Sequence, residues 1–207
     1  MTIEIKKSKT PVNYAYAINN LENRVNKIIN NDDENELIWF LEHTSVFTAG
    51  VSHKYNEILD KNIHVIKTNR GGKITWHGPG QLICYFVINL KKRKKDIRKF
   101  ISSLELSIIE SLSEYKIKAY ADRKKVGIWI NIKNRKVKIG AIGIKVRKWV
   151  AYHGFSINIT NDLKQYEKIS PCGLDYSKIS KLSNFKRQNY KKITNVLKKK
   201  MIKYLKI

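Results

Sequence analysis

A thiol on a turn and an amine in an apolar strand are the residues whose settings point most directly to chemistry. Cys172 lies in Ser170-Pro171-Cys172-Gly173. A cysteine between Pro and Gly sits on a turn, where a thiol is accessible and can act as a nucleophile. Cys84 is the contrast: it lies inside Leu-Ile-Cys-Tyr-Phe-Val-Ile-Asn-Leu at 82–90 and reads as an inert small hydrophobe. Lys138 opens Lys-Ile-Gly-Ala-Ile-Gly-Ile at 138–144. Lysine is a poor strand former and costly to bury, so a snorkelling edge lysine competes with a functional one. Simple alternation puts Lys138 on one face with Gly140 and Ile142. A third segment, Arg70-Gly71-Gly72-Lys73-Ile74-Thr75-Trp76-His77-Gly78-Pro79-Gly80-Gln81, carries four glycines and a proline within positions 70–80. Glycine lets a backbone approach a ligand closely. Arg70 and His77 frame the loop with a fixed charge and a titratable group. The segment lacks the Gly-Lys-Ser/Thr of a phosphate-binding loop and the dinucleotide fingerprint. A Gly-rich binding loop is expected here, with a plain hairpin turn as the alternative.

The elements around these segments follow from hydrophobic spacing. Residues 2–9 read as a strand. Thr10-Pro11 reads as an N-cap and first helical residue, opening an amphipathic helix over 11–30. Strands are expected at Leu37–Leu41, Ile63–Lys67 and Leu82–Leu90. Ile97, Phe100, Ile101, Leu104, Ile108, Leu112 and Tyr115 form one stripe of a helix over 96–116. Strands follow at 126–132, 137–146 and 149–158, the last two joined in a hairpin by a tight turn near Arg147-Lys148. Asp162 to Ile169 reads as a short helix. Ile193, Val196, Leu197, Met201 and Leu205 mark a C-terminal amphipathic helix whose Lys-rich face could meet a membrane surface, although docking on its own domain is the commoner outcome. The class is α+β, a mostly antiparallel sheet flanked by helices. No repeat or linker interrupts the 207 residues, so one domain spanning 1–207 is expected.

Composition narrows the function. With 42% apolar and 10% aromatic residues a sizeable core can form. No apolar run reaches the roughly 18 residues of a membrane span, and the N-terminal residues carry no secretory pattern. Two cysteines make no disulfide framework, so a reduced, cytoplasmic protein is expected. The formal charge is +25. Such an excess attracts acidic partners. AT-rich codons for Lys, Ile and Asn would produce it without functional demand. The basic runs at 91–95 and 198–200 lack the aromatic or glycine context of nucleic-acid modules, and no nucleic-acid partner is expected.

Taken together, the segments at 70–81, 138–144, His153-Gly154-Phe155-Ser156-Ile157-Asn158 and 171–173 resemble the lipoyl(octanoyl) transferases in type, order and spacing. The likeness runs from about residue 41 to Gly173. It implies the fold of biotin and lipoate protein ligases. It implies Cys172 as acyl-thioester nucleophile, with Lys138 activating it. It implies acyl contacts from Arg70, Gly71, Gly72, Lys73, Ile74, Thr75, Trp76 and His77, from Ala141, Ile142 and Gly143, and from Gly154, Phe155 and Ser156. Trp76 stands where Tyr or Phe is usual and Ser156 where Ala is common, which bears on pocket shape.

The implied reaction takes an octanoyl group from octanoyl-acyl carrier protein to a lysine of lipoyl domains, those of 2-oxoacid dehydrogenase complexes and the glycine cleavage H protein. This is the first step of endogenous lipoate synthesis. No cofactor or metal is expected, nor stable membrane insertion, and a monomer is expected. Lys138 is read as a proton shuttle as well as a charge. Backbone N–H groups near Cys172-Gly173 or Gly71-Gly72 are candidates for the oxyanion site. His77 and His153 are pocket residues and neither is the primary base. The rivals are an ATP-dependent lipoate ligase or a lipoyl amidotransferase on the same fold and, more remotely, a basic nucleic-acid-binding protein.

Overall fold

The computed structural model describes residues 3–30, 34–122, 125–171 and 176–207. Its elements are β1 (Ile3–Lys7), α1 (Tyr14–Ile29), β2 (Glu36–Leu41), β3 (Val46–Ala49), β4 (Val65–Lys67), β5 (Ile74–His77) and β6 (Gln81–Asn89). There follow α2 (Ile97–Ser113), β7 (Ala119–Ala121), β8 (Ile128–Ile132), β9 (Arg135–Arg147), β10 (Val150–Asn158), α3 (Leu182–Phe185) and α4 (Ile193–Leu205). Seven strands form one sheet in the order β1-β2-β6-β10-β9-β8-β7, and β4-β3-β5 form a second, small sheet. In the large sheet β1–β2 is parallel and the other pairs are antiparallel.

Each face of the large sheet has its own helices. On one face Phe86, Ile88, Ile130, Ile139, Phe155 and Ile157 pack with Phe100, Leu104 and Ile108 of α2 and Leu197, Met201 and Leu205 of α4. On the other, Trp39, Ile83, Tyr85, Val87 and Tyr152 meet Ala17, Leu21, Val25 and Ile28 of α1. The C-terminal helix therefore docks on its own domain, its lysines turned outward except where Lys200 reaches Glu114 at 2.9 Å. Among the described residues no helix is long and apolar enough to cross a membrane.

Two expectations shift. The first helix begins at Tyr14 behind an Asn13 cap, whose side chain accepts from the Tyr16 N–H, and not at Thr10-Pro11. Val12 is the reason: its N–H donates to Glu42 O at 2.8 Å and its carbonyl accepts from Thr44, which holds the chain extended. The short helix at 162–169 is a 3₁₀ turn over Lys164–Lys168. The expected hairpin forms, with Lys148 and Trp149 at φ +46° and +68° in a two-residue turn between paired Arg147 and Val150. Positive φ at both central residues matches the right-handed strand twist.

Candidate functional site

Two irregularities in the large sheet decide which side chains face the site. The first is a β-bulge. Ile128 of β8 pairs with Gly140 and Trp129 with Lys138, so Ile139 has no place in the ladder. The extra residue shifts the alternation of β9. Ile139 and Ile142 both pack on the helix side, and Lys138 shares the opposite face with Ala141 and Gly143. The alternation expected from the sequence, Lys138 with Gly140 and Ile142, is corrected by one residue. The second irregularity is His153, at φ +67° in the middle of β10. Plain alternation would send it to the helix side with Ala151 and Phe155. The left-handed backbone turns it the other way, onto Tyr152, with ring centroids 4.7 Å apart. Such outliers persist where the surroundings over-determine them, commonly at functional sites.

On this face the two sheets enclose a cavity of about 330 Å³, within the range of small-ligand sites. Arg70 to Lys73 line it, with Ile74, Thr75 and His77 of β5, Ile83 and Tyr85 of β6, Ala141 to Gly143 of β9, and His153 to Ser156 of β10. Lys138, Lys125 and Val126 complete the wall. All the substrate-contact residues named from the sequence line it except Trp76, although the side chains of Ile142 and Phe155 pack on the helix side. Within β5, Thr75 and His77 face the cavity. Trp76 packs the other way with Phe47, Tyr166 and Ile169, its indole N–H donating to Ser45 Oγ at 2.9 Å.

Lys138 is 5% exposed. Its Nζ donates to the Val126 carbonyl at 2.8 Å and lies 5.7 Å from the centre of the Trp129 ring, both favourable for a buried ammonium. A smaller void of about 20 Å³ adjoins the cavity and shares Thr75, Lys138, Ala141 and Ser156 with it. Pro171 lines this void. Cys172 and Gly173 lie outside the described residues. Of the oxyanion candidates, the Gly71 N–H is already taken by Ile144 O at 3.2 Å.

Hydrogen bonds fix the polar groups around the cavity. Arg70 donates through Nη2 to Thr48 O and Oγ1, each at 2.9 Å, which ties the loop to β3. Lys73 pairs with Glu57. The Gln81 amide donates to Asn158 Oδ1 and Tyr166 Oη, so its oxygen receives the His77 Nδ1 proton at 2.6 Å. His43 donates from Nδ1 to Val12 O and accepts from the Tyr85 hydroxyl at Nε2, both at 2.8 Å. Asn69, held by Glu22, accepts from His153 Nε2 at 2.7 Å. Burial is the main reason all three imidazoles titrate low: His43 and His153 at about 4, His77 at about 3. They are neutral at pH 7, and two of them, His77 and His153, line the cavity.

Sequence reading missed Tyr85, Ile83, Lys125 and Val126, and the roles of Gln81 and Asn158. An alternating pattern in 82–90 could have flagged Ile83 and Tyr85, but both faces of that strand are apolar. One close approach there yields a prediction. A Cβ on Gly154 would lie 1.8 Å from Cys84 O on the neighbouring strand. Gly154→Ala is expected to cost at least about 3 kcal/mol in urea unfolding. A loss below about 1 kcal/mol would mean that the strands do not approach this closely.

The comparisons with known proteins agree with the architecture. Residues 13–204 match the model of the lipoyl protein ligase A/B catalytic domain. An octanoyltransferase of Rickettsia rickettsii (strain Sheila Smith) is 47% identical over 174 residues, spanning 82% of this chain and 83% of that one. A lipoate-protein ligase A bound with ATP superposes with a TM-score of 0.74 at 17% identity, covering all of this chain and 87% of its own. The bipartite lipoate protein ligase of Thermoplasma acidophilum, studied with its E2 lipoyl domain, gives 0.71 at 14% identity, covering 100% and 85%. Identities this low carry the fold alone. The family model and the 47% relative carry more: this chain belongs to the lipoyl protein ligase A/B catalytic-domain family and, within it, to the octanoyltransferases.

Proposed function

We propose that this protein moves an octanoyl group from a carrier-protein thioester to a lysine of a lipoyl domain, through a thioester on Cys172. Octanoyl transfer itself follows from membership of the octanoyltransferases. The observation that carries the proposal is the position of Lys138, buried between the cavity and the void lined by Pro171, the residue before Cys172.

In the first step the Cys172 sulfur attacks the carrier thioester. Its S–C bond forms, the carrier's S–C bond breaks, and the Cys172 proton passes by way of Lys138 to the departing carrier thiol. In the second step the target lysine amine attacks the acyl-cysteine. The amide N–C bond forms, the Cys172 S–C bond breaks, and the amine's proton returns through Lys138 to the thiolate. The methyl of Ala141 and the bare backbone of Gly143 leave room where the acyl chain would lie. The lipoyl-domain acceptor is supported by the family's ligase branch, one member of which was studied with its lipoyl domain.

The test is intact-mass spectrometry after incubation with octanoyl-acyl carrier protein. One octanoyl group is expected on the Cys172 peptide, and none in Cys172→Ser. Transfer that proceeds in Cys172→Ser and requires ATP and free acid would instead make the chain a ligase.

A further inference from the structure

We propose that Gly127 is a positioning residue, setting where the Lys138 amine sits; this rests on the reading of Lys138 as the proton carrier. Gly127 directly precedes β8 and has φ +143°. The Lys138 side chain passes over it where any other residue would carry a Cβ. That atom would lie 2.3 Å from Lys138 Cε and 2.9 Å from Nζ. It would also lie 2.7 Å from the carbonyl of Gly140, on the far side of the bulge. The neighbouring Val126 carbonyl is the acceptor of the Nζ hydrogen bond. One dipeptide thus supplies both the space and the acceptor. The bulged backbone at Gly140 blocks retreat in one direction, so an added methyl displaces the flexible end of the lysine, and the amine leaves Val126 O. A displacement of about 1 Å at a reacting group commonly costs about 100-fold in rate.

A glycine at this φ also has a purely backbone use, because L-residues rarely adopt it. Four proteins separate the two roles: the wild type, Gly127→Ala, Lys138→Ala and the double variant. Each is read by kcat and KM with octanoyl-acyl carrier protein, and by the pH midpoint of Cys172 alkylation with iodoacetamide. Cys84, fully buried, stays silent. Gly127→Ala is expected to lower kcat about 100-fold with KM within about threefold. It is expected to raise the alkylation midpoint by about one pH unit, toward that of Lys138→Ala. In the Lys138→Ala background the same substitution should leave the midpoint in place, because the group it displaces is gone.

A wild-type midpoint that Gly127→Ala leaves in place overturns this assignment alone. A wild-type midpoint equal to that of Lys138→Ala removes the parent reading and the assignment with it. Should Gly127→Ala fail to fold while the double variant folds, collision with the lysine is the cause and the assignment stands. If both fail to fold, the glycine serves the backbone only and the assignment falls.

Discussion

Lys138→Arg is expected to slow octanoyl transfer by about 10²–10³-fold, because charge is the smaller part of what this lysine does. A cysteine near its ordinary pKa of about 8.5 is a few per cent thiolate at pH 7. A neighbouring ammonium that lowers the value by about 2 units raises the thiolate fraction roughly 25-fold. The sulfur also becomes less nucleophilic, by about 6–10-fold for a Brønsted slope near 0.4–0.5. The net gain is only a few-fold. Arginine keeps the positive charge and forfeits proton exchange. A variant in which only charge mattered would therefore retain most of its rate. Single-turnover acylation and deacylation should both slow, since each step moves one proton through the same amine. Turnover of Lys138→Arg within about threefold of wild type would end the shuttle. A urea unfolding midpoint of Lys138→Arg near that of the wild type checks that the loss is not one of fold.

The second large effect is on stability in mild acid. His43, His77 and His153 are buried and titrate at about 4, 3 and 4. In the unfolded chain each binds its proton near pH 6.5, while in the folded protein each stays neutral well below that. Their contribution is therefore complete above about pH 6.5 and is lost as pH falls through the folded values. Each costs up to about 1.4 kcal/mol per pH unit, and the three together roughly 5 kcal/mol between pH 7 and 5. A domain of ordinary stability, about 5–15 kcal/mol, would lose much of its margin. Urea titrations at pH 7, 6 and 5 measure this. A flat profile would show that the imidazoles become charged in the folded state.

The three long helices and the long strands were legible in the sequence because each carries a full apolar stripe or run; the four-residue α3 is too short to show one. Of the small sheet only β4 was, inside the strand expected at Ile63–Lys67; its two partners were not. Val46–Ala49 and Ile74–His77 have four residues each, too few to show a period, and the second is bracketed by glycines that read as loop. The residues that line the cavity were legible as residue types, through the glycine-rich segment and the lysine. Their facing was not. Nothing in Lys-Ile-Gly-Ala announces that Ile139 is surplus to the ladder, and nothing in Tyr-His-Gly-Phe announces a left-handed histidine. Both depend on partners contributed by distant strands. The exclusion of Trp76 from the cavity follows from simple alternation, once 74–77 is known to be a strand.

The surplus residue in β9 makes that strand a splice of two frames, one presenting the amine and the other the small-residue floor of the slot. Because a step of one position exchanges the two sides of a strand, removing Ile139 would turn one of them away without altering any other letter of the sequence. Gain or loss of the amine's place on this architecture is thus open to a single-codon insertion or deletion, a change that a comparison of residue types alone would pass over.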